Sequence, residues 1–178
     1  MLDWVEVLLI SLVAIALIVA TYTDIRYGKI YNWTTLPAIL IGIALHTYGH
    51  WWIGFLLSVG GAVLVMALFL FLGPLVGIGG GDIKLMMAVG ALLALPLSLW
   101  ALLYSAVIGG VMAVFVMAKH KALLSTTQTM ASNLYSGFLT KSQTDLTSGS
   151  IKVKFRYSPA ILIGTVLAII IQGPNLWT

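Results

Sequence analysis

From Ile30 to Gly81, and again from Leu85 to Ala118, the chain carries no Lys, Arg, Asp or Glu. Uncharged stretches of that length cannot form the surface of a water-soluble domain, where about 25% of residues are charged. Here 8% are charged and 61% are apolar. Apolar runs of about 20 residues read as bilayer-crossing helices, because a helix pairs its own backbone polar groups where water is absent. The expected fold is therefore all-α: a polytopic membrane protein with six transmembrane helices near 4–23, 33–47, 51–72, 83–95, 97–118 and 158–173. The fourth and fifth runs are split by Pro96 alone and read as a tight hairpin. Residues 1–178 read as a single membrane-embedded domain.

The nine basic residues set an orientation. Arg26 and Lys29 follow the first run, Lys84 follows the third, and six more lie between Lys119 and Arg156. With six spans and both termini outside, all nine face the cytoplasm, as the positive-inside rule asks. The net charge of +4 then reports orientation and contact with anionic lipid head groups rather than nucleic acid. The first run is preceded by Asp3 and Glu6, the wrong charge for a signal peptide, and is expected to be retained. Within the polar segment 119–157, apolar residues from Leu123 to Phe138 recur at helical spacing. That pattern reads as an amphipathic helix in the cytoplasmic interface, followed by a loop.

Two of the five acidic residues are out of place. Asp24 ends the first apolar run, and Asp82 ends the cluster Gly79-Gly80-Gly81-Asp82. A carboxyl at a membrane segment is costly unless paired or wetted, so each marks a functional site. The topology puts both on the cytoplasmic side. Two close carboxylates share a proton, so one serves as general base on water and the other as general acid. Asp24 sits at a helix C-terminus and Asp82 at an N-terminus; by those dipoles Asp24 carries the proton and Asp82 is ionised. The glycines before Asp82 are expected to form a non-helical bend that admits water and an extended substrate. The bland alternative makes Asp82 an N-cap and Asp24 an ordinary charged helix end.

Other candidates are weaker. There are no cysteines, which excludes disulfides, thiolate nucleophiles and Cys-bound zinc. His46 and His50 have metal-like spacing but no carboxylate beside them, so they read as interfacial histidines; no metal site and no cofactor is expected. Ser11, Ser58 and Ser105 have no histidine near them in the topology. The tryptophans fall near span ends, as belt anchors do. Gly60-Gly61 and Gly109-Gly110 suit close helix packing.

Gly79-Gly80-Gly81-Asp82-Ile83-Lys84-Leu85 resembles the GxGD-x-K-L block of the type IV prepilin peptidases. Asp24-Ile25-Arg26 with Ile30-Tyr31-Asn32 resembles their first-aspartate block, with Tyr31 in place of the usual proline. Tyr157-Ser158-Pro159-Ala160 resembles their aromatic-Gly-Pro stretch, with Ser158 in place of glycine. The likeness runs from about residue 9 to residue 170. It implies an aspartic endopeptidase that cleaves the basic leader of prepilins at the cytoplasmic membrane face, with Asp24 and Asp82 as the catalytic pair. Gly79, Gly81, Asn32, Arg26 and Lys84 are implied as supporting residues, the last two as candidates to pair with a Glu shortly after the cut. With neither cysteines nor a preceding cytoplasmic domain, the chain resembles the peptidase-only short forms serving tight-adherence (Flp) pili or archaeal pilins and archaellins. The rival enzyme reading is a presenilin or signal-peptide-peptidase relative, which shares GxGD but adds a Pro-Ala-Leu block. A small ion-coupled transporter is the rival outside enzymes, but the spans are apolar at mid-depth.

Overall fold

The structure is a computed structural model that describes residues 4–76, 79–119 and 156–176. Its described elements are α1 (Trp4–Tyr27), α2 (Asn32–Val76), α3 (Gly80–Leu93), α4 (Leu97–Lys119) and α5 (Ser158–Leu176). Residues 1–109 and 156–178 form one compact unit, and residues 110–155 a second. The candidate site lies in the first unit. The expected interfacial helix within 119–157 lies outside the described residues.

Three helices are long and apolar enough to cross a membrane: Trp4–Tyr27, Asn32–Phe71 and Leu97–Phe115, with Ser158–Gly173 a shorter apolar helix. About a third of each long span is buried within the protein. The outward side chains, Ile15, Ile18, Leu40 and Phe71 among them, are exposed and apolar, as lipid contact requires. Trp4, Trp33, Trp51 and Trp52 are exposed at helix starts and at a break, where belt residues belong.

That break divides α2. His50 (φ −130°, ψ 23°) and Trp51 (φ 49°, ψ −134°) leave helical geometry and separate two limbs, 32–49 and 52–76. Trp51 is in the left-handed region, which a bulky L-residue rarely adopts. The second limb starts hard against the first, since a Cβ at Gly54 would meet the His46 carbonyl. The expected runs 33–47 and 51–72 thus map onto one element with a sharp interruption.

Between the two limbs lies α3. Leu85, Met86, Ala88, Val89, Ala91, Leu92 and Leu93 are all buried, so this helix is apolar on every side and forms the centre of the unit. Contact with α2 is backbone on backbone. A Cβ at Gly61 would lie 2.6 Å from the Gly90 carbonyl oxygen, and one at Gly90 would lie 2.7 Å from that of Gly61. Gly42, on the other limb, meets Ala91 at 2.9 Å in the same way.

Such burial leaves the last carbonyls of α3 without water, and each needs a donor. Ala94 N–H donates to the Gly90 carbonyl at 3.0 Å. Ser58 Oγ donates to that of Ala91 at 2.7 Å, and His46 Nε2 to that of Leu92 at 2.9 Å. His46 is therefore a buried structural donor rather than the interfacial residue its position near a span end suggests. Of the paired glycines, Gly61 and Gly109 receive neighbours, the latter the Tyr157 ring, whereas Gly110 has open space around it.

Overpacking a close backbone crossing costs about 1–3 kcal/mol. Gly90→Ala should lower the thermal unfolding midpoint of the detergent-solubilised protein, whereas Gly49→Ala, with nothing within 4 Å of the new methyl, should leave it unchanged or raise it.

Candidate active site

Three pieces of chain meet at one end of the helices: the last turn of α1, the first turn of α3 and the residues entering α5. Gly28 ends α1. It adopts φ 65°, and its N–H donates to the Asp24 carbonyl at 2.8 Å, the left-handed closure that glycine permits. Asp24 thus sits in a terminal turn and is 8% exposed.

The start of α3 differs from the expected bend. Gly79 is extended (φ −73°, ψ 150°) and precedes the helix, but Gly80 and Gly81 are already helical. Asp82 lies in the first turn, with its N–H on the Gly79 carbonyl at 3.0 Å; it is not the N-cap. Gly81 is small for a packing reason, since a Cβ there would come 3.3 Å from Ile30 in the α1–α2 connection. Residues 77 and 78 lie outside the described residues.

Asp24 and Asp82 are both buried at this end of the helices. Asp82 is 9% exposed, and its carboxyl is within electrostatic reach of that of Asp24. Its Oδ2 lies against the Gly79 backbone. Its Oδ1 is buried with no hydrogen-bond partner among the described residues. A buried orphan carboxyl oxygen is costly and marks a place meant for water or a ligand group.

The third piece reaches Asp24 directly. Ser158 is fully buried, and its Oγ donates to Asp24 Oδ2 at 2.5 Å. Tyr157 packs edge-on against Phe69, with ring centroids 6.0 Å apart, and donates its hydroxyl to the Ser105 carbonyl at 2.9 Å. Burial, with the Asp82 charge adding, pushes its phenol up to about 12, so it stays a neutral donor. The Tyr157 carbonyl accepts from Ala160 N–H at 3.0 Å and Ile161 N–H at 3.2 Å, which starts α5 there. Asp24 consequently faces two helix ends, the C-terminus of its own helix and the N-terminus of α5.

The supporting residues divide. Lys84 Nζ donates to Asn32 Oδ1 at 3.0 Å, tying the first turn of α3 to the first residue of α2. Arg26 is exposed in the last turn of α1, with no partner among the described residues. No cluster of three or more potential metal ligands occurs among the described residues. Gly28 and the hydroxyl of Ser158 escaped the sequence reading. The first had a signal, a glycine just past an apolar run; the second had none beyond an odd polar residue at the head of a span.

A family model described as the type IV leader peptidase family matches residues 11–114, more than half of the 178-residue chain. No curated protein and no solved structure matches. The matched stretch contains both Asp24 and Asp82 and ends before Tyr157 and Ser158. With an all-helical membrane architecture and two buried carboxylates in the matched stretch, the chain belongs to the type IV leader peptidase family.

Proposed function

We propose that this protein is an aspartic endopeptidase that removes the short basic leader of type IV, Flp-like prepilins at the cytoplasmic membrane face. The observation that carries this reading is the burial of two carboxyls, one at the end of α1 and one at the start of α3, with the charge of Asp24 acting on Asp82. In the proposed reaction one carboxylate takes a proton from water, which attacks the scissile carbonyl carbon. The other protonates the carbonyl oxygen; as the C–N bond breaks, the proton taken from water passes to the leaving nitrogen and the acid regains its own from the tetrahedral hydroxyl. Asp24 and Asp82 fill these two roles, with no cofactor.

Topology supports the site of cleavage. The limbs of α2 count as two crossings, so α1, both limbs, α3, α4 and α5 make six. Arg26, Lys29, Lys84 and Arg156 then gather at the aspartate end, which the positive-inside rule assigns to the cytoplasm. A prepilin presents its basic leader on that side and its apolar helix within the bilayer. Its scissile bond therefore arrives at the level of the carboxylates. At 14 residues, α3 spans roughly 21 Å against a hydrocarbon core of about 30 Å, which leaves Asp82 below the head groups. Family membership favours leader removal over cleavage within a membrane helix and over ion-coupled transport.

Asp24→Asn and Asp82→Asn should each lower cleavage of a reporter prepilin by purified enzyme by about 10²–10⁴-fold, the usual share of a general acid or base. Native activity in either variant ends the aspartyl mechanism. The pH profile of kcat/KM should be bell-shaped, with its acid limb from the group that must be ionised and its alkaline limb from the group that must be protonated. A profile flat across both limbs contradicts a shared-proton pair.

Lys84 and Arg26 are the candidate partners for a substrate Glu beyond the cut. Lys84→Glu should weaken cleavage severalfold more for a substrate with that Glu than for one lacking it, and Arg26→Glu provides the parallel test. Equal losses on both substrates rule out the pairing.

A further inference from the structure

Asp24 is held asymmetrically, and that asymmetry decides which aspartate does what. Its Oδ2 accepts the hydroxyl of Ser158, a side chain with no solvent exposure. Ser158 is also the first residue of α5, so the positive end of a second helix is directed at the same carboxylate. Asp82 lies in the first turn of α3 and takes a backbone hydrogen bond from Gly79, but no side chain supports it: its Oδ1 is buried and without a partner among the described residues. An oxygen in that state is relieved by carrying the pair's proton and donating it.

We propose that Ser158 is a positioning residue for Asp24, holding it as the ionised, water-activating member of the pair, with the shared proton on Asp82. The proposal rests on the aspartic-peptidase reading above. With Oδ2 occupied by the hydroxyl, Oδ1 of Asp24 is left to take the proton from water. Asp82 then donates its proton to the substrate carbonyl oxygen. As the C–N bond breaks, the proton taken by Asp24 passes to the leaving nitrogen and Asp82 regains its own from the tetrahedral hydroxyl. Atoms balance: one water is consumed, and a new carboxyl and a new amine are made.

The charged and titratable groups around Asp24 come from each neighbouring element. By place in the chain they are Asp82 and Lys84 from α3, Tyr157 and Arg156 ahead of α5, Arg26 and Tyr27 on its own helix, and Lys29 and Tyr31 in the connection that follows. The start of α2 contributes Asn32, which holds Lys84. Arg26, Lys29, Lys84 and Arg156 are exposed to solvent, and Tyr157 is a neutral donor engaged with Ser105. The buried members that set the pair's proton are therefore Asp24, Asp82 and Ser158.

The test compares native enzyme with Ser158→Ala, Ser158→Gly and Ser158→Thr on one reporter prepilin, a short basic leader ahead of an apolar helix. Glycine is the residue of the resembling family stretch, so that backbone is expected to accept it. Ser158→Ala and Ser158→Gly should lower kcat at least severalfold, with KM within about twofold of native. They should also move the acid limb of the kcat profile upward by roughly one to two pH units, the effect of losing one hydrogen bond to a charged group. Ser158→Thr, which keeps the hydroxyl, should restore both kcat and the limb. If the threonine variant does not fold, the acid limb of the alanine and glycine variants decides alone. An acid limb at its native place in both variants overturns the proposal, as does a raised KM with unchanged kcat. Asp24→Asn, measured alongside, separates the two levels. If it is inactive while the Ser158 variants keep the native profile, only the positioning role fails; if it is active, the peptidase reading itself fails.

Discussion

The contact between Gly61 and Gly90 is the constraint on which the site depends. It lets α3 lie between the limbs of α2 with backbone touching backbone, so that the apolar stretch from Leu85 to Leu93 is largely buried. Without water, the carbonyls at its far end must be paired, and Ala94, Ser58 and His46 pair them. A helix fixed in this way at one end and along its length presents its other end at a defined depth. That end carries Asp82. The same apolar environment that makes a lone carboxyl expensive also rewards the meeting of two that share a proton.

The site is thus a junction of helix termini rather than a pocket in a loop. Asp24 comes from a C-terminus, Asp82 from the first turn of an N-terminus, and Ser158 from the N-terminus of a third helix. Each terminus carries unpaired backbone groups and a partial charge, so the arrangement supplies polarity within an otherwise apolar unit. Rigid helices hold the carboxylates, and the close approaches at Gly81 and Gly109 let Ile30 and Tyr157 fill the space around them.

Much of this was legible in the residues. Uncharged runs are a physical demand of the bilayer, so apolar helices from Trp4 onward followed from composition alone. Asp24 and Asp82 were marked by cost, because a carboxyl beside an apolar run needs burial with a partner or water, and both are buried. Tertiary detail was less visible. The glycine cluster suggested irregular backbone, yet Gly80 and Gly81 continue the helix, since glycine serves close approach as well as unusual φ. His46 read as interfacial because its role, a hydrogen bond to Leu92, spans 46 residues of sequence. Ser158 was noted only as a replacement for glycine; its partner is 134 residues away, beyond any local pattern.

Because the chain has no cysteine, the apposition of the two carboxylates can be measured on an otherwise thiol-free protein. The double variant Asp24→Cys/Asp82→Cys, in membranes, is treated with a short thiol-to-thiol reagent and analysed by mass spectrometry for an intramolecular link. Asn32→Cys/Lys84→Cys, whose native side chains are 3.0 Å apart, serves as the positive control. The account predicts that both pairs link efficiently. A control that links beside an Asp24→Cys/Asp82→Cys pair that does not would contradict it.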